Sequence, residues 1–292
     1  MSKRLLLASL LAAAACTHNR PTEAITSPPA DAPDLVLSDP PDASPLTITR
    51  VDHATTLVDF DGEVVLTDPW FTENWMYHPG EKLGTTIAKL PKLTAVVVSH
   101  KHYDHFDIDA FKEYPDKDVP FFVVAGIGDK VKAAGFHNVR ELAPWESGTA
   151  GSLTITAAPG AHSAPEITFV LQGKGRTVYF GGDTKRITPL VEELPRRFPT
   201  IDVALLPVNG LKEFGTQQVM SADDAAQLTA DLHARVAVPI HYAYTGGKLK
   251  DLFVLDYDGT PEEFQAQTAK LSPQTTVRIL SPGQRQRIVA SE

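Results

Sequence analysis

Four short apolar runs in this chain each stop at a residue that can bind a metal ion, and that repetition restricts the fold more than any other feature. Thr94–Val98 leads into Ser99-His100-Lys101-His102-Tyr103-Asp104-His105. The run from Leu153 ends at Pro159-Gly160-Ala161-His162, Thr177–Gly182 ends at Asp183, and Val236–Ile240 ends at His241. Short apolar runs of this kind read as buried strands. Residues that follow them lie at the C-terminal edge of a sheet, where α/β folds place their sites. Asp68 closes a fifth run, Val64–Thr67, in the same way.

Within the densest segment the spacing separates two tasks. In extended chain, residues two apart point the same way, so His100 and His102 converge on one position. Asp104 and His105 fall on the turn into a helix expected near Asp107 and can aim at a second position. Neutral imidazole and carboxylate are the ligands that zinc and similar divalent ions prefer, so the segment reads as a metal site rather than a solvated loop. Glycines 181 and 182 give the backbone the freedom to turn Asp183 towards the ions.

The pattern His-x-His-x-Asp-His, a later His, an Asp in Gly-Gly-Asp-Thr and a final His resembles the metallo-β-lactamase superfamily, over roughly residues 47 to 285. His53-Ala54-Thr55, Thr67-Asp68-Pro69-Trp70 and Pro239-Ile240-His241-Tyr242 are most similar to the branch containing ascorbate-6-phosphate lactonase and N-acyl phosphatidylethanolamine phospholipase D. The resemblance implies an α/β fold of the αβ/βα four-layer sandwich type. It implies one metal on His100, His102 and His162, a second on Asp104, His105 and His241, and Asp183 bridging them. It also places Asp68 beneath the metals, where a carboxylate can orient a ligand histidine.

Two divalent cations are therefore expected, zinc first, with Mn2+ or Fe2+ accepted by the same donors. A water bridging them would have its pKa lowered from about 15.7 towards 7, giving a hydroxide nucleophile. Asp183 and Asp104 are the expected catalytic carboxylates, Asp104 as acceptor or relay of the water's proton. The expected activity is hydrolysis of an ester-type bond, either a phosphodiester of a phospholipid-like substrate or a lactone. The resemblance also implies that true β-lactamases generally lack the bridging Asp and often have Cys there, whereas this chain has Asp183 and Cys16 alone. A β-lactamase-type amide hydrolase is accordingly the lesser alternative. A non-catalytic surface lipoprotein that binds metal or ligand is another, although its signature, loss of ligands, is absent.

Around the centre, several residues are candidates for contact with substrate. His53 would be surplus as a ligand and is read either as a residue at the rim of the site or as a structural imidazole. Trp70 and Trp75 belong to the aromatic loop 69–80, which is either a wall gripping an apolar substrate or a loop folding back on the sheet. Lys185 follows Asp183 by two residues and could meet a phosphate, or it begins a helix as a surface charge. Tyr242 opens the segment 242–248, read as a loop over the pocket.

The rest of the chain bounds the setting. Lys3-Arg4, the apolar stretch Leu5–Ala15 and Cys16 read as a lipoprotein signal peptide over 1–16, so the protein is expected to be exported and anchored to the bacterial cell envelope through lipidated Cys16. Seven prolines among small and polar residues make 17–45 a disordered tether, leaving 46–292 as the hydrolase domain. A formal charge of -9 gives no basic patch and argues against nucleic acid as partner, in favour of a small or lipid-like substrate. Oligomeric state is left open. Helices are expected over Leu190–Phe198, Ala222–His233 and Pro261–Leu271, the second with a capping box of Ser221 and Asp224, and a last strand over Thr276–Leu280.

Overall fold

A computed structural model describes residues 20–38 and 43–290. Two sheets form the centre. The first has eight strands, in the order Val139–Leu142, Phe121–Val124, Ala95–Val98, Glu63–Thr67, Thr55–Phe60, Leu46–Asp52, Arg285–Ala290 and Ala32–Leu37. The second has seven, in the order Ser147–Ala150, Leu153–Pro159, Ile167–Gly173, Arg176–Phe180, Val203–Pro207, Val236–Ile240 and Thr276–Val277.

Period-2 alternation sorts these strands into layers. Val203 and Leu205 join one core cluster while Ala204 and Leu206 join another, and Val236 and Val238 divide from Ala237 in the same way. The first cluster combines Val65, Val97 and Phe121 of the first sheet with Ile155, Phe169 and Phe180 of the second, so the sheets pack face to face. The other joins the outer face of the second sheet to Leu190, Leu194, Ala225, Leu228 and Phe264 on helices. Phe111 and Val131, on the short helices Ile108–Phe111 and Gly128–Ala133, pack with the first sheet. The arrangement is the αβ/βα four-layer sandwich.

The helix Ala222–Asp231 carries the capping box in full: the Asp224 N–H donates to Ser221 Oγ at 3.2 Å and the Ser221 N–H to Asp224 Oδ2 at 3.2 Å. Ser221→Ala should cost about 1 kcal/mol of unfolding free energy in urea titration. No measurable change would mean that neighbouring groups already satisfy those amides.

Three expectations are corrected. The stretch 17–45 is not wholly a tether: Ala32–Leu37 pairs parallel with Arg285–Ala290 as an edge strand, and Arg20–Pro21 pairs with Thr72–Glu73. Edge strands tolerate proline because one side of the backbone needs no partner, so the Pro-rich composition did not exclude pairing. The signal peptide expected over 1–16 lies outside the described residues. The helix Leu190–Phe198 is two pieces, Thr188–Glu192 and Leu194–Arg197, broken where Pro195 offers no N–H to continue the ladder. The last strand is Arg285–Ala290; Thr276–Leu280 is strand only at Thr276–Val277. Among the described residues no helix is long and apolar enough to cross a membrane.

Candidate metal centre

The C-terminal ends of strands from both sheets meet above the shared core, and the residues that follow them turn inwards. Three of these residues do so in the left-handed region without being glycine: His53 (φ 40°), Asp68 (φ 34°) and His241 (φ 54°). Each such backbone costs about 1–3 kcal/mol, which surrounding structure must offset. Gly182 (φ +55°) needs its freedom for a second reason, since a Cβ there would stand 2.9 Å from Ser99 Oγ and Glu166 Oε1.

Two groups of donors result. His100, His102, His162 and Asp183 form the first, and Asp104, His105, His241 and His53 form the second, with ligand atoms in each group within 4.8 Å of one another. In the first, His100 Nε2 and His162 Nε2 each lie 3.0 Å from His102 Nδ1. In the second, His105 Nε2 and His241 Nε2 each stand 3.0 Å from Asp183 Oδ1 without the alignment of a hydrogen bond. The other oxygen, Asp183 Oδ2, faces the first group, 3.7 Å from both His100 Nε2 and His162 Nε2. Asp183 thus stands between the groups.

The outward ring atoms are tied down. Asp68 Oδ2 accepts from His105 Nδ1 at 2.6 Å, and Asp68 also accepts from the Ser99 N–H and hydroxyl. Asn209 Oδ1 accepts from His241 Nδ1 at 3.1 Å, and the Gln218 carbonyl from His162 Nδ1 at 3.0 Å. Glu166 Oε1 accepts the Asp183 N–H at 2.7 Å. By contrast the inward atoms His53 Nε2, Asp104 Oδ1, His105 Nε2, Asp183 Oδ1 and His241 Nε2 are buried with no hydrogen-bond partner. Buried polar atoms in native proteins are satisfied. Fixed outer nitrogens and bare inner ones are the arrangement a bound cation completes, so these residues fit metal ions.

Electrostatics sets His105 apart from His100, His102 and His53, the last also held by burial at about 4. Burial, with the neighbouring His105 charge, holds His100 well below the usual imidazole value, and burial holds His102 at about 4, so both lone pairs are free at neutral pH. Burial would also lower His105, but the carboxylates of Asp183 and Asp104 outweigh it and hold this imidazole well above its ordinary value. Burial resists ionisation of Asp183, yet His105 and His241 keep it well below the usual carboxylate range.

All five residues expected to meet substrate are placed otherwise. Trp70 is 1 % exposed and packs beneath the site, edge-on to His53, because its indole N–H finds the Thr72 carbonyl. The Tyr242 hydroxyl donates to the Leu280 carbonyl at 3.0 Å and its ring lies under the Arg50 guanidinium, away from the pocket. Trp75 and Lys185 are half-buried and neither lines the pocket. His53 is not at the rim but within the second donor group, with its ring centroid 4.0 Å from that of His241. The pocket over Asp104, His102, His162 and Asp183 has a volume of about 110 Å³ and is walled by Tyr77, Tyr244, Lys250 and Glu213.

Sequence reasoning passed over Ser99, Glu166, Asn209 and Lys250. Asn209 carried the same signal as the ligands, a polar residue just past the apolar run Val203–Pro207. Lys250 had none, since the chain returns it to the pocket only through the helix Lys248–Phe253.

Residues 63–242 match the family model described as "Beta-lactamase superfamily domain". A "UPF0173 metal-dependent hydrolase" of Anaeromyxobacter sp. (strain K) is 30% identical over 258 residues, covering 81% of this chain and 84% of its own. The N-acyl-phosphatidylethanolamine-hydrolyzing phospholipase D 1 of Caenorhabditis elegans is 28% identical over 231 residues, 68% of this chain and 64% of its own. Among solved structures, a metallo hydrolase from the archaeon Ignicoccus hospitalis superposes with a TM-score of 0.66 at 22% identity, covering 84% of this chain and 98% of that one.

Proposed function

The chain belongs to the beta-lactamase superfamily and is a metal-dependent hydrolase, and from that premise we propose that it uses two ions to cleave an ester-type bond, a phosphodiester of a phospholipid-like substrate before a lactone. The observation that carries the reading is Asp183, whose Oδ1 faces the unpartnered Nε2 atoms of His105 and His241 while its Oδ2 faces His100 and His162, whose Nε2 atoms converge on His102 Nδ1. Divalent ions, Zn2+ before Mn2+ or Fe2+, would supply Lewis acidity and an acidified water at neutral pH when bound. The protein's own part is to hold that chemistry in place and to handle its proton. Asp104 has an unpartnered Oδ1, is kept ionised chiefly by His105 against the cost of burial, and borders the pocket. It is the group placed to accept the proton of an attacking water.

The pocket supports a substrate whose reacting group is small. At about 110 Å³ it falls well below the ~300–1,000 Å³ that encloses a whole ligand, so most of the substrate lies outside. Beside the mouth, Leu249, Leu252 and Phe253 share one helix face and are 60–74% exposed; Phe214, 63% exposed, joins them through its N–H bond to the Val254 carbonyl. An apolar surface beside a polar pocket suits an amphiphile with its head inside. The named activity of the C. elegans relative is consistent with that class. Export and anchoring through Cys16 belong to the same proposal, since they would bring the site to a lipid surface.

Lys250 distinguishes the two bond types. It lines the pocket with its ammonium 5.3 Å from the Tyr77 ring centroid, within reach of an anionic group. Lys250→Ala should raise KM about tenfold for a phosphodiester, the loss of one charge-assisted contact, while leaving a neutral lactone unaffected. The primary test is hydrolysis of bis-p-nitrophenyl phosphate and a lactone panel by purified protein, before and after chelation. Chelator-sensitive turnover of the phosphodiester is expected. No turnover of any of these by the metal-replete protein would put a ligand-binding role in its place.

A further inference from the structure

His53 follows the strand Leu46–Asp52, and its left-handed backbone turns the ring into the site, where it is 1 % exposed. Its Nδ1 lies 3.4 Å from the backbone carbonyl oxygen of Tyr242. A carbonyl only accepts, so where Nδ1 donates to it the neutral ring presents a lone pair at Nε2. Facing that lone pair at 3.4 Å is Asp104 Oδ2, another acceptor, and His53 Nε2 has no hydrogen-bond partner. Two buried acceptors pointed at each other need a positive charge between them, a proton or a metal ion. The spacing suits the latter: ligand atoms at metal–nitrogen and metal–oxygen lengths of about 2.0–2.2 Å are about 3.0–3.4 Å apart around a common ion.

We propose that His53 Nε2 is itself a ligand at the second metal position, beside Asp104, His105, His241 and Asp183. The assignment rests on the two-metal reading above and adds a donor to the set that family resemblance implies. It also makes the two positions unequal. The first has four protein donors and the second five, which moves the second from the four-coordinate preference of zinc towards ions that favour six-coordinate geometry, Mn2+ or Fe2+.

The experiment is titration of the metal-free full chain with Co2+, comparing wild type with His53→Ala and His53→Gln. Wild type should take two ions. Both variants should bind the first as before, bind the second at least about 100-fold more weakly, and show a more intense visible band from the second ion as its coordination number falls. Two ions bound at wild-type affinity would overturn the assignment, as would a weakened second ion with an unchanged spectrum. Wild-type protein labelled with 15N on histidine supplies a readout that does not depend on any variant folding. Saturating Zn2+ should shift six imidazole nitrogens, those of His53, His100, His102, His105, His162 and His241, and five shifts with His53 unmoved would refute the proposal. A wild-type chain that takes only one ion would sink the two-metal reading and this assignment together, whereas two ions with His53 silent would sink this assignment alone.

Discussion

Asp183→Ala should leave the protein with at most one ion per chain and reduce hydrolysis by at least about a thousandfold. The carboxylate presents Oδ1 to His105 and His241 at 3.0 Å and Oδ2 to His100 and His162 at 3.7 Å, so its loss removes a donor from each group at once. Lewis-acid stabilisation is worth several kcal/mol, and each ~1.4 kcal/mol is tenfold in rate. Removal also leaves His105 and His241 facing each other across a hole with no negative charge between them. Asp183→Asn separates charge from shape: it keeps the volume and one acceptor oxygen, and should retain the fold but not the second ion. Elemental analysis of dialysed protein, together with turnover of bis-p-nitrophenyl phosphate, checks both. Two ions retained in Asp183→Ala would mean that Asp183 is not shared between the positions.

Falling pH should strip the two positions in sequence, the second first. In the metal-free protein His105 is held above its ordinary value by Asp183 and Asp104, so at neutral pH its ring is protonated and an ion must displace that proton. The sign follows directly. A raised imidazole contributes stability that is complete below its unfolded value near 6.5 and disappears as pH rises through the raised value, and ion binding at the same ring is opposed over that range. Affinity at the second position should fall about tenfold for each unit of pH below the raised value. His100, well below its ordinary value, and His102, at about 4, are already neutral, so the first position meets little proton competition until the pH approaches 4–5. Equilibrium dialysis at pH 5.5 and 7.5 should return one ion and two. Simultaneous loss of both would show that the positions do not titrate separately.

Much of this architecture was legible because it rests on local rules. The runs Ala95–Val98 and Val236–Ile240 are short, apolar and β-branched, and each ends where a donor begins. The capping box at Ser221 is a four-residue pattern that needs no tertiary context. What was not legible depends on partners distant in sequence. Ala32–Leu37 became a strand because Arg285–Ala290, some 250 residues later, offers it an edge. Trp70 and Tyr242 carried the composition of substrate contacts, yet the Thr72 and Leu280 carbonyls draw their polar atoms elsewhere. Lys185 followed Asp183 by two residues in sequence, but the cation brought into the pocket is Lys250. His53 was misplaced by the opposite error: seven donors looked sufficient, and counting ligands says nothing about where a left-handed residue points its ring.

Neither sheet owns the centre. His53, His100, His102, Asp104 and His105 extend from the first, and His162, Asp183 and His241 from the second, so each donor group closes only when the two layers have docked. Ions that bind the docked state and not its separated halves act as rivets through the sandwich, strengthening it in proportion to the logarithm of their free concentration. The chain therefore has no complete site to offer while it is still a nascent or unfolded thread. A shortage of metal is felt first as a weaker fold and only then as a slower enzyme.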